Sequence, residues 1–389
     1  SLRSDLLAAN DLLSPFLAAG FYYKTFMWPR SFWERFYEPI IRASAGLGRL
    51  SGEPDPDSYD KRFLHCDVLI IGSGPSGITA ALAAGRAGAR VILADEDFQM
   101  GGRLNSETYE VSGENGANFV GEALTELGSI DNVQLMPRTT VYGAYDHGIY
   151  GALERKTDHL PSSSDGPRQV LWRVYAKRAI LCAGATERPI AFGNNDRPGV
   201  MLAGAVRAYV NRWGVVPGKK VAVFTNNDDG WRTATDLASK GVEISAVIDS
   251  RGGTPPVKLG GARIVMGGRV VDTKGRHGIR SLILANGEKI SADCLAVSGG
   301  WNPNVYLTCH TGGRPIWNQD IAAFVPGVDT PHGMTVAGSA GGTMTLAAAL
   351  KEGRNAGNIT AKELGYSPVN TEELRAEDED ADVSAFWYV

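Results

Sequence analysis

The chain has 389 residues, 43% hydrophobic and 21% charged, with 48 glycines, which suits an α/β protein rich in tight turns and excludes a fibrous or disordered chain. A formal net charge of -4 argues against nucleic acid as the main ligand, since phosphate backbones call for concentrated Lys and Arg. Cys66, Cys182, Cys294 and Cys309 lie far apart with no CxxC spacing, which fits a reducing, cytoplasmic setting and speaks against a zinc or iron–sulfur site. No run of about twenty apolar residues is present to span a membrane. The opening SLRSDLLAAND, without an initiator Met or a signal-peptide pattern, reads as an internal start.

Residues 1–60 read as a helical, aromatic-rich arm. SDLLAANDLLSPFLAAGF and SFWERFYEPIIRASAGL carry amphipathic periodicity, and the polar breaker SGEPDPDS follows them. Ten of the 33 aromatic residues fall between Phe16 and Tyr37, a density that calls for a covering surface. That surface is either a partner subunit or the body of the chain, and the sequence leaves both open.

Residues 61–195 read as a first dinucleotide-binding domain. The apolar strand Val68–Ile71 runs into the turn Gly72-Ser73-Gly74-Pro75-Ser76-Gly77, then an Ala-rich helix, then a strand ending at Asp95 and Glu96. Gly72 permits the tight turn, Gly74 lets backbone approach a pyrophosphate, and Gly77 lets helix and strand pack closely, with the helix N-terminus aimed at phosphate. Asp95 lies 23 residues after Gly72, where a carboxylate accepts from an adenosine ribose and disfavours a 2'-phosphate. Downstream stand GGRL with Arg103, the strand–turn–strand pattern TTVYGAYDHGIYGA, and RAILCAGATERPI, whose Gly184-Ala185-Thr186 marks a crossing between domains.

Residues 196–310 repeat the strand, turn, helix, strand rhythm as a second Rossmann-like domain with a degenerate glycine motif. Its turn reads Thr225-Asn226-Asn227-Asp228-Asp229-Gly230, and two aspartates at a helix entry cap the helix while repelling a pyrophosphate. The expectation is a kept fold without ordinary NADPH binding. Residues 311–365 return to the first domain through strand MTVAGS and helix TLAAALKEGRNAGNITAKEL. Residues 366–389 read as an acidic tail or linker, EELRAEDEDAD, which ends in the apolar AFWYV. Cys309 and His310 are adjacent, but side chains one residue apart commonly diverge, so packing or a loop facing a neighbouring cofactor is favoured over catalysis. The six histidines are dispersed without metal-ligand spacing.

Taken together, FYYKTFMWP, FWERFYEP, GSGPSG, LCAGATERPIAFGNNDRPGVM, FTNNDDGWRTA and SGGWNPN make this chain resemble the α subunits of the heterotetrameric sarcosine oxidases, relatives of the glutathione-reductase-like flavoproteins. The resemblance covers roughly residues 15 to 365. It implies an α/β fold of two nested Rossmann-like dinucleotide-binding domains, with NAD on this chain where a reductase holds FAD. It further implies a partner β flavoprotein subunit carrying FAD, an FMN at the border between the two, and further small subunits. A small secondary amine is oxidatively demethylated on the partner, with oxygen giving hydrogen peroxide, so no catalytic residue is expected on this chain. Carried onto this sequence, the NAD contacts are Gly72, Gly74, Ser76 and Gly77 at the phosphates, Asp95 and Glu96 at the ribose, Arg103 near a phosphate, and Val141 beside the adenine. The backbone of Gly338, Ser339, Ala340 and Thr343 falls near the nicotinamide half. Ser339 stands where flavin-binding relatives have an Asp, which favours NAD over FAD. The family's N-terminal small domain and C-terminal folate-binding domain have no counterpart in these 389 residues. Two other readings remain: an autonomous FAD-dependent amine or amino-acid dehydrogenase component, and a nonenzymatic nucleotide-dependent assembly module.

Overall fold

A computed structural model describes residues 20, 28–46, 48, 50–161, 166–370, 372–377 and 379–387. The chain divides into two compact units, Ser1–Pro56 and Asp57–Val389. The helix expected over SDLLAANDLLSPFLAAGF and most of FYYKTFMW lie outside the described residues. In the smaller unit, a 3-10 turn Arg30–Phe32 and a π turn Trp33–Tyr37 lead into the helix Glu38–Ser44. Pro39 falls in that helix's first turn, directly after the π turn, where Glu38 N–H still bonds Trp33 O. Phe32 and Phe36 pack with ring centroids 5.0 Å apart, yet none of Arg30–Ser44 is buried.

The larger unit holds two sheets. The first has seven strands in the order Val133–Met136, Val91–Ala94, Tyr59–Ile71, Gln169–Leu181, Ile149–Arg155 and Thr139–Tyr145, with Met334–Val336 also pairing Gln169–Leu181. The unbroken apolar run Val68–Ile71 follows from burial on both faces: Val68 and Ile70 pack under helices Pro75–Arg86 and Leu346–Glu363, while Leu69 and Ile71 pack with Ala144, Tyr150 and Ala152 of the antiparallel strands. On one face the helix Pro75–Arg86 packs against Leu346–Glu363 through small residues. A methyl group at Gly353 would run into the backbone of Ser76, and one at Gly357 into that of Ala80.

The second sheet has five parallel strands in the order Val200–Leu202, Cys294–Ser298, Lys220–Thr225, Glu243–Asp249 and Arg263–Met266. Helices Ala203–Trp213 and Asp228–Ser239 pack on it around Trp231, which is buried. An antiparallel trio, Val270–Lys274, Ser281–Leu284 and Lys289–Ser291, covers the opposite side. Ala185–Glu187 pairs with Trp301–Pro303 where the chain crosses between the sheets.

The acidic tail is not the solvated run expected from its composition. Leu374 and Ala376 pack on the core of the first sheet, and Phe386 packs on that of the second. The Glu379 side chain is only 2% exposed, because it pairs with Arg103 at 2.7 Å and Arg232 at 3.2 Å. Among the described residues, no helix is long and apolar enough to cross a membrane.

Candidate nucleotide site

A cavity of about 810 Å³ opens at the carboxyl ends of the first sheet and extends to the start of helix Ala203–Trp213. This is the crevice where open α/β sheets take their ligands, and the volume falls within the range of small-molecule pockets. Gly72 has φ +97°, and a side chain there would strike the carbonyl of Cys182. A methyl on Gly77 would strike the carbonyl of Gly72, so this glycine sets how closely helix and turn pack. Gly74 differs: among the described residues, no atom beyond its own chain neighbours lies within 4 Å of where its Cβ would be, and the residue lines the cavity. The Ile78 N–H donates to Gly74 O at 2.9 Å as the first intrahelical bond. The amides of Ser76 and Gly77 precede it and are left for an acceptor outside the helix. These features fit a pyrophosphate.

The two acids at the end of strand Val91–Ala94 have different surroundings. Asp95 accepts from the Ser73 amide and hydroxyl, both at 2.6 Å, and from the Asp97 amide at 2.8 Å. It borders the cavity, but its carboxylate is committed to holding the glycine turn. Glu96 is exposed at the same rim, and no side chain or amide among the described residues donates to its carboxylate.

Arg103 also borders the cavity, yet it is engaged within the chain rather than free for a phosphate. It donates to Glu107 at 2.6 Å, to Met344 O at 2.8 Å and to Glu379 at 2.7 Å. Val141 and Ser339 line the wall. Gly338, Ala340, Thr343 and Gly77 stand behind the lining. The Gly338 amide donates to Glu352 at 2.9 Å, and the Ser339 hydroxyl donates to Thr343 O at 3.2 Å.

Thr186, placed by the sequence at the crossing between domains, lines the cavity, whereas Asn304, Arg207 and Arg232 on the lining escaped sequence reasoning. Thr186 donates to Asn304 at 2.9 Å, and Asn304 donates to Ala183 O at 2.7 Å, joining the two crossing strands beside the cavity. Asn304 carried no signal, although it lies in the quoted SGGWNPN run. Arg207, Asp229 and Arg232 close the inner end. Arg207 donates to Asp229 at 3.0 Å, and Trp301 donates to the same carboxylate at 3.2 Å. Burial alone would raise the Asp229 carboxyl, but Arg207 and Arg232 outweigh it and hold the group ionised. Glu187 behaves oppositely: burial and the nearby Asp229 push its carboxyl up to about 8, although the Gly204 amide donates to it at 2.8 Å.

The second turn caps its helix differently from the expected aspartate arrangement. Asn227 is the cap, accepting from the Gly230 amide at 3.2 Å, while Asp228 pairs with Arg251 at 2.9 Å. Cys309 and His310 diverge. The thiol donates to Val305 O at 3.4 Å, and His310 Nδ1 accepts from the Ala144 amide at 3.2 Å. Cys66, Cys182 and Cys294 are buried, and burial pushes each thiol up to about 12, which makes them inert core residues.

A family model described as FAD dependent oxidoreductase matches residues 67–127. Sarcosine oxidase subunit alpha of Rhizobium meliloti (strain 1021) is 47% identical over 100% of this chain and 40% of its own length. The protein of the same name from Corynebacterium sp. (strain P-1) is 38% identical over 83% of this chain and 35% of its own length. This chain therefore spans less than half the length of these curated relatives. Among solved structures, L-proline dehydrogenase from P. horikoshii aligns with TM-score 0.65 and 24% identity, over 82% of this chain and 59% of its own. Lactococcus lactis thioredoxin reductase aligns with TM-score 0.59 and 16% identity, over 76% of this chain and 98% of its own. Both share the fold.

Proposed function

We propose, from the 47% identity over the whole of this chain to sarcosine oxidase subunit alpha of Rhizobium meliloti, that it is the NAD-binding α component of a sarcosine oxidase-like complex. Its two sheets are then two nested Rossmann-like domains, of which the first retains its nucleotide. The observation that carries this reading is the turn at Gly74: the protein leaves open the space that a Cβ would fill, beside uncommitted helix amides.

In this reading Gly72, Gly74, Ser76 and Gly77 form the pyrophosphate cradle. Glu96 takes the adenosine ribose, and Asp95 fixes the turn that presents the amides. Val141 flanks the adenine, and the Gly338–Thr343 segment shapes the nicotinamide end. Arg103 acts through the wall, holding Met344 and Glu379 in place rather than touching phosphate. NAD held there would supply a fixed nucleotide on this chain. Amine oxidation is assigned to a β flavoprotein partner bearing FAD, with FMN at the border and oxygen as the acceptor that yields hydrogen peroxide.

The test is to denature the purified native complex and identify the released nucleotides by mass spectrometry, chain by chain. NAD from this chain with flavins from a partner is the expected result. FAD in the same cavity is the second reading, favoured by the description of the family model over residues 67–127. FAD released from this chain alone would replace the first reading with the second.

A further inference from the structure

The carboxyl end of the second sheet is also a crevice of the kind that takes nucleotides in open α/β folds. Here it is filled. The segment Glu379–Trp387 lies across the ends of strands Lys220–Thr225 and Cys294–Ser298, with Val383 bridging antiparallel to Asn227. We propose that this crevice is a peptide site rather than a nucleotide site, and that its ligand is the chain's own segment Glu379–Trp387.

The segment occupies donors at the turn and helix start that a nucleotide would otherwise use. At the N-terminus of the twelve-residue helix Asp228–Ser239, the Asp228 amide donates to Asp382 O at 3.1 Å, which satisfies a donor otherwise left for phosphate. Asn226 stands where the first turn has Ser73, between the two replaced glycine positions Thr225 and Asn227, and its side-chain amide donates to Ser384 O and Phe386 O, each at 2.7 Å. Its own carbonyl accepts from the Ser384 amide at 2.9 Å. Paired main-chain bonds of this kind are how an extended peptide is held, and a pyrophosphate has no amide to offer in return.

The ribose position is closed as well. Asp249, at the end of its strand, accepts from Trp231 at 2.7 Å and from Arg251 at 2.9 Å. Arg251 in turn donates to Asp382 O at 3.0 Å. Beyond it, Arg188 is 8% exposed and donates to the carbonyls Gly299 O at 3.1 Å and Ala322 O at 2.6 Å, while its Nη2 has no partner among the described residues. A buried guanidinium of this kind calls for negative potential, and the ring of Trp387 supplies it 4.7 Å away. Phe386 anchors the end of the segment against Phe224 at 6.4 Å.

Residue-resolved hydrogen exchange on the purified complex tests this. In the wild type the Asp228 and Ser384 amides should exchange at least tenfold more slowly than in an unstructured peptide. In the double variant Phe386→Ala, Trp387→Ala they should speed up about tenfold. Adding the synthetic peptide EDADVSAFW to that variant should restore slow exchange at Asp228, whereas NADPH should not. Free-peptide rates in the wild type, unchanged slow exchange in the variant, failure of the peptide to protect, or protection of Asp228 by NADPH would each overturn the proposal. Free-peptide rates in the wild type would overturn the proposal even if the variant does not fold.

Discussion

Glu187 carries an ordinary carboxyl value of 4.5, and burial beside Asp229 pushes it up to about 8 in the folded chain. The native state therefore holds this proton more tightly than the unfolded state. Its contribution to stability is complete below about pH 4.5 and is lost as pH rises through about 8. Glu187→Gln keeps the neutral form, so its melting temperature should fall less than that of the wild type between pH 5.5 and 8; an identical decline would assign the dependence to another group. At the rim, Glu96→Ala should lower the nucleotide content of the purified complex with little change in melting temperature. Asp95→Asn should lower melting temperature as well, because three donors converge on that carboxylate. Nucleotide content and thermal midpoint, measured on both variants, separate the two roles. The sequence placed both acids at the rim by spacing, but it could not divide their roles. Division depends on Ser73 turning its amide and hydroxyl toward Asp95, a matter of geometry rather than residue type. Arg103 was likewise visible as a cation near the turn, while its three acceptors lie as far off as Met344 and Glu379.

Glycines make the corresponding test for the elements. Gly74→Ala adds a methyl to open space, so the fold should keep its melting temperature while nucleotide retention falls. Gly353→Ala drives a methyl into the Ser76 backbone between two helices, which should cost about 1–3 kcal/mol or more, read from denaturant unfolding of the complex-free chain or from the thermal midpoint. Equal effects of the two changes on stability would contradict the packing described. The turn at Gly72–Gly77 was legible because strand, turn and helix are contiguous in sequence. The front half of Tyr59–Ile71 was not. Tyr59–His65 mixes charged and aromatic residues, and it becomes a strand only by pairing with Gln169–Tyr175, 110 residues away. The degenerate second turn was legible as a loss of glycines, though not as a peptide-holding edge.

For the whole molecule, one carboxylate ties distant parts together. Glu379 accepts from Arg103, Arg232 and the Leu346 amide, the last at 2.5 Å, and so joins both sheets to the start of helix Leu346–Glu363. Glu379→Gln leaves two half-buried guanidinium groups short of one counter-charge and should cost about 1.5–3 kcal/mol. Thermal unfolding of the variant checks this, and a change within experimental error would mean that Glu107 and Asp229 balance the arginines alone. Composition misled here: Glu379 reads as one acid among many in EELRAEDEDAD, and nothing local distinguishes the buried carboxylate from its solvated neighbours.

Met334–Val336 adds a strand to the first sheet by pairing with Ala179–Leu181, and every strand of the second sheet falls between these two segments in the chain. On the ribosome, the edge at Ala179–Leu181 and the small-residue face of helix Pro75–Arg86 emerge long before the segments that cover them. The second sheet, whose strands run from Val200 to Ser298, has all its strands synthesised before Met334–Val336 emerges. The nascent chain thus passes through a stage with every strand of one sheet made and one bare strand edge on the other, the period when it is most exposed to misassembly.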